Sequence, residues 1–137
     1  MLCASIILRV VRSPKIFWRD SGLLHALLNV PSEQAPLLQP WVGASWEGVV
    51  IEQIIGELAA RGSRVEPYFF RTSDGHEIDL VLELGAERWA VAVKLTASPS
   101  PADMTKLETT ADLIGASRRY LVLTNAALKR RRASRLV

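Results

Sequence analysis

Hydrophobic and polar residues alternate over two adjacent segments in the middle of the chain, residues 76–84 and 87–95. Successive side chains of a strand point to opposite faces of a sheet, so this alternation predicts two half-buried strands. The Gly-Ala dipeptide between them suits a tight hairpin turn. If Leu84 faces Glu87 across the turn, one face of the hairpin is apolar, and a slip of one residue would expose it. The pattern therefore predicts an antiparallel hairpin with a defined register.

The rest of the pattern predicts helices and strands on both sides of this hairpin. Apolar residues recur at helical spacing from Ser45, a candidate N-cap, to about Arg61, and again from about Ala102 to Ile114. Short apolar runs at residues 65–72 and 119–124 indicate two more strands. The predicted fold class is α/β, a mixed sheet flanked by helices, in the order helix, three strands, helix, strand.

A separate extension precedes this core. We expect a short strand from Lys15 to Trp18 and a short leucine-rich helix that begins at Asp20 or Ser21. Prolines then mark a loop from about Val30 to Val42. The chain thus divides into an N-terminal extension with its proline-rich loop (1–42), a core (43–126) and a basic C-terminal tail (127–137).

The composition matches that of an ordinary soluble globular protein. The 137 residues, 49% hydrophobic and 23% charged, suffice for one domain. One cysteine, Cys3, excludes an internal disulfide and favours the cytoplasm, and with two histidines it excludes a Cys/His metal cluster. The apolar opening from Met1 to Leu8 is too short to span a membrane. Because no GxxxxGK motif followed by Ser or Thr occurs, we expect no ATP site in this chain.

The net charge of +3 is concentrated at the C-terminus. Without the tail charges, twelve basic residues face fourteen acidic ones. The tail is either a phosphate-binding segment with salt-dependent affinity for nucleic acid or a solvated chain end. Arg71 is a further candidate for phosphate contact, from a strand. The five basic tail residues are Lys129, Arg130, Arg131, Arg132 and Arg135.

Two residues of the hairpin have the spacing found in metal-dependent nucleases. In the expected register Asp79 lies opposite Ala92, two residues before Lys94, and Glu77 lies opposite Lys94. Two carboxylates facing each other would lie roughly 4.5–5.5 Å apart at their Cβ atoms and could share a Mg²⁺ ion. The ion would bind phosphate and activate water, and the lysine would stabilise charge on the phosphate. Here one of the two carboxylates is missing, because alanine stands at that position.

Each candidate also has a structural interpretation. Asp79 is either a catalytic metal ligand or an acid on a solvated strand face. Lys94 is either a catalytic group or the partner of Glu77 in an ion pair worth a few tenths of a kcal/mol. Glu47, the third candidate for catalysis and metal binding, leads a core-facing helical stripe, and the helix dipole would explain a carboxylate in the first turn.

Three blocks of the chain resemble the C-terminal domain of a prokaryotic AAA-type ATPase family. Members of that family normally carry an ATPase domain upstream, so this chain looks like a stand-alone or truncated C-terminal domain. The resemblance extends over about residues 12–124. Its blocks are RSPKIFWRDSGLLHALL (12–28), WVGASWEGVVIEQ (41–53) and FRTSDGHEIDLVL (70–82).

The resemblance implies a restriction-endonuclease-like fold of the PD-(D/E)xK type. The family's motif acids would fall on Glu47, Asp79 and position 92, and its lysine on Lys94. Relatives typically read Glu-x-Lys where this chain reads Ala92-Val-Lys94. Since alanine cannot bind metal, the resemblance implies weak or lost Mg²⁺ binding and impaired catalysis.

Three functions follow as hypotheses. The first is a nuclease-like module that has lost hydrolysis and binds DNA or protein, with an ATPase as a partner in trans. The second is an active Mg²⁺-dependent nuclease in which Glu47 or Glu52 replaces the missing ligand. The third is a structural domain that forms homo-oligomers through the apolar segment from Met1 to Val11.

Overall fold

The computed structural model describes residues 4–5, 15–17, 20–29 and 39–124. The basic tail with its candidate phosphate contacts at residues 129–132 lies outside the described residues, as do residues 30–38 of the proline-rich loop.

The core has the predicted order of elements, and the α/β fold class is confirmed. Its elements are, in chain order, β1 (Ala4–Ser5), α1 (Ser21–Leu27), α2 (Val42–Ala60), β2 (Glu66–Arg71), β3 (Glu77–Leu84), β4 (Glu87–Lys94), α3 (Pro101–Leu113) and β5 (Arg118–Leu123). Strand β1 pairs in parallel with β2, the strands β2, β3 and β4 are antiparallel, and β5 pairs in parallel with β4. No helix within the described ranges is long and apolar enough to cross a membrane.

The predicted hairpin is formed by β3 and β4, and its register is the predicted one from the turn as far as Leu80. The expected pair of Asp79 with Ala92 lies beyond this stretch and is not among the pairs that β3 and β4 form. Its pairing runs from Leu84 opposite Glu87 to Leu80 opposite Val91. At the turn, Gly85 has a φ of 61°, a left-handed conformation that glycine adopts at little cost. The hydrophobic alternation therefore identified both the strands and their relative position.

An extra residue in β3 changes which face one of its side chains occupies. Tyr68 pairs with Val81 and Phe70 with Ile78, so two steps along β2 match three steps along β3. This bulge reverses the alternation, and Ile78 packs with Val81 and Phe70 rather than with Leu80. Strict alternation along residues 76–84 would place Ile78 on the same face as Leu80. This expectation is wrong, because counting with a period of two does not anticipate a bulge.

The sheet is covered on both faces, which makes three layers. Helix α2 lies on one face and α3 on the other, and burying each large apolar side chain between layers contributes about 1.5–3 kcal/mol. On the α2 side the buried residues are Val50, Ile51, Leu80, Leu82, Val91 and Val93. On the α3 side they are Phe70, Ile78, Val81, Ala90, Ala92, Leu107, Ala111, Ile114 and Ala116.

The N-terminal part departs from the prediction in three places. Helix α2 begins at Val42, so Ser45 is inside it, with Oγ 3.1 Å from Nε2 of His25. Residues 15–17 are not in a strand, and the two-residue strand β1 was not predicted. The Asp20 cap is confirmed, since its Oδ1 accepts the N–H of Leu23 at 2.9 Å.

Candidate functional site

A cavity of about 240 Å³ lies where β3 begins and β4 ends. It brings together all the hairpin candidates and the helix candidate. Its lining combines carboxylates with lysines, and both kinds of side chain come from several elements. The lining residues are Glu47, Glu77, Asp79, Ala92, Val93, Lys94, Asp103, Lys106 and Leu107.

Asp79 lies in the bulge of β3, one residue beyond Leu80, the last residue of β3 that pairs with β4. Its Oδ2 accepts the backbone N–H of Val93 on β4 at 2.8 Å, so the carboxylate bridges the two strands where their regular pairing has stopped. The side chain is only 14% exposed. Bulges are common next to functional sites because they redirect side chains. Asp79 is therefore held rigidly at the cavity wall.

Glu47 extends from α2 towards the same point. It precedes Val50 and Ile51 on the core-facing stripe, as predicted. Because α2 begins at Val42, Glu47 lies in the second turn, where the helix dipole is weak. The dipole explanation is thus wrong. Burial, followed by the charge of Asp79, raises the pKa of Glu47 to about 7, although Lys15 acts in the opposite direction.

The ammonium group of Lys15 lies among three carboxylates. It forms an ion pair with Glu47 and lies 2.9 Å from Oε1 of Glu77 and 3.2 Å from Oδ1 of Asp79. It also lies 4.8 Å from the ring centre of Phe69. Burial alone would lower the pKa of Lys15, but the bonds to Glu47 and Glu77 and the charge of Asp79 outweigh burial, so its pKa is raised.

Lys94 lies on the α3 side of the cavity. Its Nζ is 4.0 Å from Oδ1 of Asp103, whereas Glu77, its expected partner, contacts Lys15 and lies 3.9 Å from Nε of Arg71. The expected Glu77–Lys94 pair is therefore wrong. The reason is the bulge: it reverses the alternation at the start of β3, so Glu77 and Lys94 no longer share a face of the sheet.

The carboxylates as arranged do not fit a Mg²⁺ ion. Magnesium requires a near-octahedral set of hard oxygen ligands, usually with one or two carboxylates. Ala92 supplies no ligand, and Lys15 already lies between Glu47 and Asp79. Within the described ranges, no three His, Cys, Asp or Glu side chains form a group that could hold a metal ion.

Three residues of the site were missed by sequence reasoning. Lys15 lies in the block of residues 12–28, but the residue types and spacing around it give no local sign that its charge would reach the hairpin acids. Asp103 did have a signal, because it stands three residues after Ser100 at the start of α3. Its Oδ2 accepts the N–H of Ser100 at 2.9 Å, and this bond lowers the pKa of Asp103. Lys106 follows one turn later.

The sequence profile of a family described as Domain of unknown function (DUF4143) matches residues 42–136. Two uncharacterised mycobacterial proteins, Rv2008c of Mycobacterium tuberculosis and Mb2031c of Mycobacterium bovis, are each 42% identical to the chain over 97 residues. The alignment covers 71% of this chain but 21% of each relative, so the chain spans about a fifth of these longer proteins. No solved structure matches the chain.

Proposed function

This chain belongs to the DUF4143 family, and we propose that it is a nuclease-like module that binds nucleic acid without cleaving it. One observation carries the proposal. The carboxylates of Glu47 and Asp79 bind the ammonium of Lys15, so no position is open between them for a metal ion, and Ala92 lines the cavity beside them. The cavity holds acids and a lysine of the types that a metal-dependent nuclease would use, but alanine stands in place of the acid expected at position 92, so we infer that the cavity does not support hydrolysis.

The loss of hydrolysis has a physical basis in this cavity. A phosphodiester is cleaved when a metal ion lowers the pKa of water and neutralises charge in the transition state. The ammonium of Lys15 supplies one positive charge but cannot activate a bound water as a divalent ion does. Lys94, the candidate catalytic lysine, has its Nζ 4.0 Å from Oδ1 of Asp103 on α3.

Binding is supported by exposed cationic side chains around the cavity. Lys94 and Lys106 line its α3 side and both are exposed, and Arg71 contacts the cavity residue Glu77 with a side chain that is about half exposed. When such side chains bind phosphates, they release the counter-ions condensed on the nucleic acid. This release favours binding, and its contribution falls as the salt concentration rises. The basic tail with Lys129, Arg130, Arg131 and Arg132 would add to this charge.

A cleavage assay tests the loss of hydrolysis. Plasmid and single-stranded DNA would be incubated with Mg²⁺ or Mn²⁺ and the wild type, Asp79→Ala or Ala92→Glu. We expect no cleavage by the wild type. Cleavage by the wild type that disappears in Asp79→Ala would refute the proposal and favour an active nuclease in which Glu47 completes the metal site. Cleavage by Ala92→Glu alone would show that one missing ligand accounts for the loss.

A binding assay tests the second half of the proposal. Fluorescence anisotropy with labelled DNA would compare the wild type with Lys94→Gln, Lys106→Gln and a deletion of residues 129–137. Each lost phosphate contact should reduce the slope of log K against log salt by about 0.9. Arg61→Gln is the matched control. The substitution removes the same charge, and Arg61 is about 20 Å along α2 from Glu47. Affinity that is insensitive to salt, or equally weakened by Arg61→Gln, would contradict nucleic-acid binding through this surface.

A protein-binding function is the second candidate, because a mainly apolar cavity of about 380 Å³ lies between α1, α2 and residues 15–17. Phe17, Leu24, Leu28 and Trp41 line it, and Ile16 beside it is 79% exposed. Exposed apolar surface of this kind is typical of protein contacts. A stable dimer in sedimentation that dissociates in Leu28→Glu would favour it over DNA binding. The ATPase in trans, the weak Mg²⁺ binding and the oligomer formed through the N-terminus stay predictions.

A further inference from the structure

Lys15 is bonded as completely as a lysine can be. An ammonium group has three N–H donors, and here three carboxylates accept from it, one from α2 and two from β3. These acceptors are 32, 62 and 64 residues from Lys15 in the sequence, so the contact joins the N-terminal extension to both α2 and β3. The group is therefore part of the tertiary structure and not a surface ion pair between neighbours.

The position of this ammonium coincides with that of the cation which the acids of a nuclease would share. Glu47 and Asp79 are the two carboxylates left for such an ion, and the Lys15 ammonium contacts both. The side chains of Lys15, Glu47 and Asp79 are between 14% and 23% exposed, so little room remains for a second cation and its water ligands. Phe17 and Phe69 present their rings to the same ammonium at 5.3 and 4.8 Å, which favours a cation fixed at this place.

We infer that Lys15 is an internal substitute for the divalent cation and keeps Glu47, Glu77 and Asp79 closed to metal ions. This inference deepens the proposed function and rests on it, because it identifies what occupies the site of a module that does not cleave. Lys15 is thus a built-in competitor for the site. Its charge compensates the carboxylates, and a metal ion must displace a cation that is tethered at high effective concentration.

Mn²⁺ binding measured by electron paramagnetic resonance tests the inference without any activity readout. The variants are Lys15→Met and Lys15→Gln, which remove the charge, and Lys15→Arg, which retains it. Glutamine keeps a hydrogen-bonding head, so Lys15→Gln serves if Lys15→Met does not fold. We expect each neutral variant to bind Mn²⁺ at least about tenfold more tightly than the wild type, equivalent to about 1.4 kcal/mol.

Two controls separate a local effect from a general one. Lys106→Gln removes the same charge from a lysine that lines the cavity but does not contact the three carboxylates, and it should leave Mn²⁺ affinity within about threefold of the wild type. Lys15→Gln combined with Asp79→Asn should lose the gain, because Asp79 would be the ligand. The Lys15→Arg variant should bind Mn²⁺ as weakly as the wild type.

Two results would overturn the inference. These are neutral variants that bind Mn²⁺ no more tightly than the wild type, and a gain that survives Asp79→Asn. The cleavage and DNA-binding assays are independent of these outcomes. A protein that binds DNA without cutting it but shows no Mn²⁺ gain in Lys15→Gln would retain the proposed function and lose only the role of Lys15.

Discussion

Replacing Lys15 by methionine should destabilise the protein, and the loss should depend on pH. Methionine retains most of the aliphatic stem beside Phe17 and Phe69 but leaves three carboxylates without their cation. Removing one partner of a fully buried pair costs about 3–5 kcal/mol. Because the side chains involved are between 14% and 31% exposed, we expect about 2 kcal/mol at about pH 8.5, or roughly 6 °C in Tm.

At about pH 5 the loss should fall to about 1 kcal/mol or less. The pKa of Glu47 is raised to about 7, so at this pH Glu47 is protonated and Lys15 has one charged partner fewer. When folding raises the pKa of a carboxyl group, the folded state becomes more stable as the pH falls from the pKa in the folded state to the pKa in the unfolded state. Since Lys15 lowers the pKa of Glu47, its removal raises that pKa further and enlarges this gain in the variant. The gap to the wild type therefore narrows in acid.

Urea unfolding followed by circular dichroism at both pH values measures the effect. Lys106→Met is the matched control, because Lys106 is exposed beside the same cavity and should change stability by less than about 0.5 kcal/mol. An equal loss at both pH values would refute the electrostatic reasoning and assign the effect of Lys15 to its packing on the aromatic rings.

Five further substitutions at four positions test the fold, each by the urea denaturation midpoint. Phe70→Ala should cost about 3–5 kcal/mol because Phe70 is 2% exposed between the sheet and α3, and a loss below about 1 kcal/mol would contradict this packing. Thr110→Val should cost about 1 kcal/mol because the buried Oγ1 lies 3.2 Å from Nδ1 of His76, whereas Thr110→Ser should retain most of the stability. Gly115→Ala should cost about 1 kcal/mol, because Gly115 has a φ of 63°, which is unfavourable for alanine. Its control, Gly56→Ala, should instead stabilise the protein by about 0.5–1 kcal/mol, because Gly56 lies in the interior of α2 and a Cβ there would meet no other atom within 4 Å.

The local pattern of the sequence determined most of the secondary structure. Two-residue alternation and a glycine turn are sufficient to predict a hairpin with its register, and the pairing of Leu84 with Glu87 followed from them. The stripe that begins at Glu47 likewise predicted the core face of α2. Both signals depend on residues close in the sequence, where geometry repeats with a period of two or 3.6 residues.

Only the tertiary structure decided the character of the site. The bulge at Asp79 depends on how β3 pairs with β2, and it moved Glu77 away from Lys94. Lys15 reaches its carboxylates across 32 to 64 residues of sequence, and no local periodicity encodes such a contact. The sequence alone thus predicted Asp79 beside Ala92, whereas folding placed the ammonium of Lys15 between the remaining acids. The physical reason is that charges in a partly buried cavity must be compensated, and the groups that compensate them are the ones that the fold brings together.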